Sequence, residues 1–142
     1  MRAAVAVIHR TMGLVIAGFL IVSGLTGAVI SWDHELDTVL NPRLMTAGSD
    51  GGPMDAIDLM DEVEKRDPRV RVISVPLLVE PGHSLSFFVQ ARVDPATGSL
   101  FVPGYNQVFV DTATGAELGR RAWGAAWPLS RENFVSFLYK LH

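Results

Sequence analysis

The sequence of 142 residues contains no cysteine. This absence excludes disulfide bonds, thiol redox chemistry, and zinc or iron–sulfur sites built on cysteine ligands. Positive charge is also sparse, with 12 lysines and arginines against 15 acidic residues and no basic block, so nucleic acid binding has no electrostatic support. The four histidines are scattered without the i, i+4 spacing of a zinc signature.

Two common catalytic motifs are missing as well. The serines stand in no G-x-S-x-G context, which excludes a nucleophile elbow. The glycine-rich segment 48–52 lacks the lysine of a phosphate-binding loop. The sequence therefore carries no hydrolytic or nucleotide-binding pattern.

A long apolar run is the dominant positive feature. Residues 11–32 carry no charge, and His9 and Arg10 stand immediately before them. About 20 apolar residues, at a rise of 1.5 Å each, span a hydrocarbon core of roughly 30 Å, so we expect a transmembrane helix. A cleavable signal peptide is the alternative, but the run is longer than a usual apolar region and ends at Trp32 without a small-residue cleavage site.

Charges on the two sides of the run predict its orientation. Arg2 and Arg10 precede it, whereas three acidic residues follow it between positions 33 and 37. Positively charged flanks tend to stay in the cytoplasm. We therefore expect residues 1–10 to be cytoplasmic and the main domain to be periplasmic, in a single-pass protein of a bacterial inner membrane.

Small residues recur along the run, namely Gly18, Ser23, Gly24, Gly27 and Ala28. Ser23 and Gly27 lie one helical turn apart, and so do Gly24 and Ala28. Small side chains at this spacing allow another membrane helix to approach closely. Besides the lipid bilayer, the expected partners are thus other transmembrane helices or subunits of a membrane complex.

The remaining sequence predicts a small α+β domain. Residues 33–52 form a polar segment that leaves the predicted membrane helix and continues into a linker. The domain itself covers 53–121. Helical spacing of apolar residues predicts a helix over 53–67, ended by Pro68. Alternating or β-branched segments predict an antiparallel sheet from strands at 70–76, 77–80, 85–93, 100–103, 107–110 and 116–120.

Two similar segments lie between predicted strands, DPATG at 94–98 and DTATG at 111–115. Aspartate accepts hydrogen bonds from amides two residues on, and glycine supplies the positive φ that such loops need. A calcium loop would require more carboxylates at alternating positions. We therefore expect two related hairpin turns.

The last segment, 122–142, is predicted to be amphipathic and to lie on the bilayer or enter it. Ser130 is a plausible N-cap for a helix. Apolar side chains at i, i+3, i+4 and i+7 form one face, made of Phe134, Phe137, Leu138 and Leu141. An aromatic belt at the membrane surface is expected from Trp123, Trp127 and Tyr139.

The chain resembles the PepSY-associated transmembrane family. The first membrane segment of that family combines a His-Arg pair, a spaced glycine, a Leu-Thr-Gly and an exit with Glu-Leu and Asn-Pro. The corresponding residues here are His9-Arg10, Gly13, Leu25-Thr26-Gly27, Glu35-Leu36 and Asn41-Pro42. Segment 108–119 is similar to the end of a PepSY domain, and Leu141-His142 to the Leu-His with which the family's second membrane helix begins.

The resemblance implies a function in iron assimilation. Some family members resemble ferric-siderophore reductases, which carry b-type haems between several membrane helices. His9 and His142 occupy the positions of haem-ligating histidines in such proteins. The implied role is the N-terminal part of a reductase that passes electrons outward to a ferric chelate, with further helices and ligands supplied beyond this sequence or by another chain.

Other interpretations of the function remain open. A shortened relative would act as an accessory subunit, with its helix packed on a larger membrane complex and its domain covering the outer face. A PepSY-type inhibitor of a periplasmic protease is a third possibility.

The histidines also allow simpler interpretations. From the residues alone, His9 is an interfacial histidine, and His142 belongs to a helix end that frays. About 35 Å of helix separates His9 from Trp32, so His9 and His142 are not expected to bind one iron. His34 is expected to be exposed, although it could bind a metal or an outer-side haem, and His83 is expected to be solvated in its turn.

Overall fold

The computed structural model describes residues 2–48 and 51–142. Ser49 and Asp50, in the middle of the predicted linker, lie outside the described residues, as does Met1. The first helix, α1 (Arg2–Ile30), has 29 residues and a length of about 44 Å. It is long and apolar enough to cross a membrane, and the described residues contain no second helix with these properties.

Two helices form in the exit segment, for which the sequence predicted none. They are α2 (Asp33–Leu40) and α3 (Pro42–Met45). Helices this short and polar are not stable alone and depend on tertiary packing. The packing comes from Leu44, which is buried and lies so close to Gly119 that a Cβ there would stand 2.5 Å from Leu44 Cδ2.

The predicted helix at 53–67 is confirmed as α4 (Ala56–Arg66). Asp55 caps its N-terminus, because its carboxylate accepts a 2.8 Å hydrogen bond from the amide of Ile57. Leu59 and Val63, one turn apart, are buried against the sheet.

The described part of the chain contains a sheet of four antiparallel strands in the order β1-β2-β3-β4. The strands are β1 (Val70–Ser74), β2 (Leu85–Ala91), β3 (Gln107–Val110) and β4 (Glu117–Arg121). One face of the sheet and α4 enclose the hydrophobic core, which contains Leu59, Val63, Val70, Leu85, Phe87, Val89, Val108 and Val110. An α+β fold is therefore confirmed.

Two of the predicted strands are wrong. Residues 77–80 form an exposed loop with Leu77 almost fully in solvent (99%), since prolines on both sides of this segment interrupt strand pairing. Around Leu100 a single bridge to Val93 replaces the expected strand.

The two predicted turns are confirmed. Gly98 and Gly115 have φ of 70° and 68°, as the sequence required. In the second turn the Asp111 carboxylate accepts hydrogen bonds from the amides of Ala113 (2.9 Å) and Thr114 (3.0 Å). In the first turn the Asp94 carboxylate accepts a hydrogen bond from the amide of Ala96 at 2.9 Å.

The last helix, α5 (Phe134–Leu141), lies against α1. Ser130 accepts a 3.2 Å hydrogen bond from the amide of Asn133, but the helix begins only at Phe134. Its buried residues are Val135, Ser136 and Leu138, whereas Leu141 is exposed. Of the predicted apolar face, Leu138 is buried and Phe134 and Phe137 are half-buried, and contact of this face with the bilayer stays a prediction. On α5, Ser136 accepts a 2.6 Å hydrogen bond from the amide of Gly124, which follows β4.

A polar network joins the end of α4 to the sheet through Asp67. This buried carboxylate accepts hydrogen bonds from Arg69 (2.7 and 2.8 Å), the Tyr105 hydroxyl (2.6 Å) and Arg120 (3.3 Å). The Arg69 hydrogen bonds hold the pKa of Asp67 well below its usual range. Burial, with the hydrogen bond to Asp67, raises the pKa of Tyr105 to about 12.

This network predicts a pH-dependent stability. Because the folded-state pKa of Asp67 is depressed, its stabilisation is present above the unfolded-state pKa near 4 and is lost as the pH falls below that value. Asp67→Asn should lower the free energy of unfolding at pH 7 by about 1–2 kcal/mol. The loss is this small because Arg69 is half exposed, and solvent screens its attraction to Asp67. It should also flatten the decline of stability below pH 4.

The measurement is chemical unfolding of the full chain in detergent at pH 2.5 to 7. Asp58→Asn, on the exposed side of α4, is the control and should leave stability nearly unchanged. An acid decline in Asp67→Asn as steep as in the natural protein would contradict the interpretation.

Candidate functional site at the membrane exit

A buried ion pair joins the exit helix α2 to the sheet. Arg121 of β4 and Asp37 of α2 form a bidentate pair, with Nη2–Oδ2 and Nη1–Oδ1 distances of 2.7 and 3.0 Å. Their side chains are only 3% and 6% exposed. Burying two charges is costly unless further hydrogen bonds satisfy them.

Neighbouring groups supply those hydrogen bonds. Arg121 Nε donates to Gln107 Oε1 at 2.8 Å, and Nη1 donates to the carbonyl of Glu132 at 3.2 Å. The side-chain amide of Asn41 donates a hydrogen bond from Nδ2 to Asp37 Oδ1 at 2.7 Å. We call the four side chains, Asp37, Asn41, Gln107 and Arg121, the exit cluster.

The exit cluster also holds the chain that returns towards α1. Asn41 Nδ2 donates to the carbonyl of Arg131 at 3.2 Å. The guanidinium of Arg121 lies 4.6 Å from the ring centre of Trp123 and 5.0 Å from that of Phe109, within the range of cation–π attraction. The cluster therefore connects α2, β3, β4 and the segment that precedes α5.

Sequence reasoning missed the exit cluster. Asn41 follows the last residue of α2, one helical turn after Asp37, and this spacing was the local signal of a polar contact face. Arg121 is distant in sequence, and nothing near it indicates a partner on the exit helix.

The histidine at the end of α5 lies against the C-terminal half of α1. His142 Nδ1 is 2.9 Å from the carbonyl oxygen of Ser23 and 3.3 Å from Thr26 Oγ1. A carbonyl can only accept, so in the neutral ring Nδ1 carries the proton and Nε2 keeps its lone pair. Nε2 has no hydrogen-bond partner in the described parts of the chain.

Gly27 makes this contact possible. A Cβ at Gly27 would lie 3.0 Å from His142 Cε1, closer than side chains normally approach. Thr26 is buried beside it and donates its hydroxyl to the carbonyl of Val22 at 2.8 Å. The ring of His142 thus occupies a notch in α1.

His9 lies at the other end of α1 and is exposed, near Arg2, Val5 and Ala6. The rise from His9 to Ser23 is about 21 Å, so His9 and His142 cannot bind the same iron. Their role as haem ligands stays a prediction.

The small residues of α1 divide into two groups. Ser23 and Gly27 contact the end of α5 of the same chain. Gly18, Gly24 and Ala28 are exposed, and a Cβ at either glycine would meet nothing within 4 Å among the described residues. Contact of this second group with another helix stays a prediction.

Two of the expected belt aromatics lie near the C-terminal end of α1. The Tyr139 hydroxyl donates a 2.6 Å hydrogen bond to Asp33, and its ring meets Trp123 edge-on at 5.8 Å. Trp127 is 84% exposed.

The remaining two histidines are brought together by the fold. The rings of His34 and His83 have their centres 5.7 Å apart. The expectation of a solvated His83 is wrong, because the residue is half-buried and its Nδ1 is buried. Across the described ranges, no group of three or more histidine or carboxylate side chains is arranged to hold a metal ion.

A long apolar helix that leads directly into a small α+β domain defines a membrane-anchored protein with one extramembrane domain. The family profile described as "PepSY-associated TM region" matches residues 6–142, nearly the whole chain. The chain therefore belongs to the PepSY-associated transmembrane family, as its motifs predicted. A comparison with curated proteins gave no match.

The exit cluster predicts a large loss of stability when one charge is removed. Asp37→Ala leaves the Arg121 guanidinium buried without its counter-ion, which should lower the free energy of unfolding by about 3–5 kcal/mol. Thermal unfolding of the full chain in detergent, followed by circular dichroism, measures the change.

Two further variants show whether the destabilisation by Asp37→Ala comes from the buried ion pair or from losing any surface charge. Glu62→Ala breaks a surface ion pair with Lys65 and should change the unfolding temperature little. The double change Asp37→Leu with Arg121→Met should recover much of the loss, since no charge is then left buried. If Asp37→Ala melted like Glu62→Ala, the cluster would not be structurally important.

Proposed function

We propose that this protein is part of a haem-bearing membrane electron carrier, resembling the N-terminal part of a transmembrane ferric-siderophore reductase. In this proposal α1 spans a bacterial inner membrane with its N-terminus in the cytoplasm, and the PepSY-like domain is periplasmic. Family membership over residues 6–142 and the environment of His142 support it.

The orientation of the His142 ring is the observation that carries the proposal. Metal-bound histidines usually donate their second ring N–H to a carbonyl or carboxylate, which fixes the tautomer and the ring plane. His142 makes this type of bond, with Nδ1 donating to the Ser23 carbonyl at 2.9 Å. Nε2 remains available as an axial ligand, so the residues present fit a haem.

The depth of the notch fits electron delivery to the outer side. Ser23 and Gly27 lie about 8–14 Å before Trp32 along the helix axis, in the outer half of the predicted span. A b-type haem held there would supply one-electron chemistry close to the periplasmic surface, where a ferric chelate could accept the electron.

A second axial ligand must come from another helix, because His9 is about 21 Å away. His9 itself would serve a separate haem near the cytoplasmic side.

The exit cluster acts as a positioning device in this proposal. It contacts the backbone of Arg131 and Glu132, immediately before α5. Through these contacts it sets where α5 meets α1, and therefore where the imidazole of His142 lies.

A haem spectrum tests the function. The protein is purified from its native membrane together with whatever helices accompany it, and the reduced-minus-oxidised absorbance is recorded. His142→Ala should remove the haem that this residue holds. Gly27→Val should have the same effect although the ligand remains, because the new side chain occupies the space of the imidazole ring.

The matched control is Val29→Ile, which adds a methyl group at an exposed position of α1 on the side opposite Gly27 and should leave the spectrum unchanged. A pigment that persists at full strength in His142→Ala would contradict the assignment, and so would natural protein without any haem.

An accessory role in a larger membrane complex is the second candidate. The observation in its favour is the exposed small face formed by Gly24 and Ala28, which α5 does not cover. This role predicts colourless protein that co-purifies in fixed ratio with other membrane subunits. Gly24→Leu should then release those subunits, whereas His142→Ala should not.

A further inference from the structure

The contact between His34 and His83 has no part in the haem proposal. His34 is exposed on α2, and His83 lies in the turn just before β2, so only the fold brings the two rings together. The ring centres are 5.7 Å apart and the planes are inclined at 38°. Both rings line one cavity of about 310 Å³.

The main chain around His83 is held firmly. Its amide donates to the carbonyl of Glu80 at 3.2 Å, and its carbonyl accepts a 3.2 Å hydrogen bond from the Thr112 hydroxyl. A bridge to Thr46 joins the same residue to the segment after α3. The backbone of His83 is therefore fixed by contacts with three other parts of the chain.

The ring of His83 has an unsatisfied nitrogen. Nδ1 is buried and has no hydrogen-bond partner within the described residues. Buried polar atoms are normally paired, and an exception calls for an explanation such as a missing ion. A metal ion bound by the two imidazoles provides that partner.

The separation of the rings suits a shared ion. Metal–nitrogen distances near 2 Å place the centres of two imidazoles on one ion roughly 4.5–6.5 Å apart, depending on the angle at the ion. The observed 5.7 Å lies in this range. Ser84 and Ser86 also line the cavity and leave room for water at the other coordination positions.

We propose that His34 and His83 bind one d-block cation, with copper(II) preferred over zinc(II). Imidazole ligands suit both metals, and a site of nitrogen and oxygen donors follows the general order that puts copper first. Glu80 also lines the cavity, but the described residues hold no group of three histidine or carboxylate side chains arranged around one ion. The site therefore keeps open positions rather than the closed shell of structural zinc. The ion would join α2 to the β2 turn and stabilise the domain on its exit helix.

The test uses the full chain in lipid nanodiscs, without a histidine tag. Copper(II) is titrated and followed by electron paramagnetic resonance, and zinc(II) binding is measured by calorimetry. The expected result is one copper ion per chain with hyperfine coupling to imidazole nitrogens. His34→Ala and His83→Ala should each weaken binding at least about tenfold.

Variants elsewhere separate this site from the haem. His9→Ala and His142→Ala should leave copper binding unchanged, whereas His34→Ala should leave any haem spectrum unchanged. His34→Gln and His83→Gln repeat the test with side chains of similar size, and their unfolding temperatures without metal show whether they fold.

The proposal also predicts a rise in unfolding temperature on adding copper to the natural protein, absent in the two histidine variants. It is overturned if the natural protein binds copper no more tightly than the double variant. It is equally overturned if His9→Ala or His142→Ala weakens binding as much as His34→Ala does.

Discussion

The buried ion pair between Asp37 and Arg121 is the interaction on which the rest of the arrangement depends. Because Asp37 belongs to α2 and Arg121 to β4, the ion pair fixes the segment that follows α1 to the sheet. This segment is therefore part of the domain and not a flexible linker. The neighbouring hydrogen bonds from Asn41 and Arg121 reach the backbone just before α5. One cluster therefore joins the sheet to α2 and to the segment that leads into α5, which packs on α1.

Local patterns in the sequence were enough to predict α1, α4, β3 and the two Asp-to-Gly turns. Each of these depends on periodicity, capping or positive φ within a few residues. The exit helices α2 and α3 could not be predicted in this way, since they are short, polar and stabilised by contacts with the sheet. The apolar residues at 77–80 suggested a strand, but Leu77 and Leu78 are exposed and only Val79 packs against the core.

The candidate sites were less predictable than the fold, for the same physical reason. His142 was recognisable only through family resemblance, and its hydrogen bond to Ser23 requires α5 to pack beside α1. The pairing of His34 with His83 requires the exit helix to lie against the β2 turn. The burial of Val135 and Ser136 on α5 could not be predicted from its apolar periodicity, because it depends on contacts with distant parts of the chain such as Gly124.

The central claim is that the domain is held rigidly on the membrane helix rather than tethered to it. The lack of native cysteine allows two labelling cysteines to be introduced without background, at Leu25 of α1 and Ile73 of β1, which are both exposed. Pulsed electron paramagnetic resonance between nitroxides at these positions in lipid bilayers should give a single narrow distance distribution. A broad distribution, as expected for a flexible linker, would contradict the account.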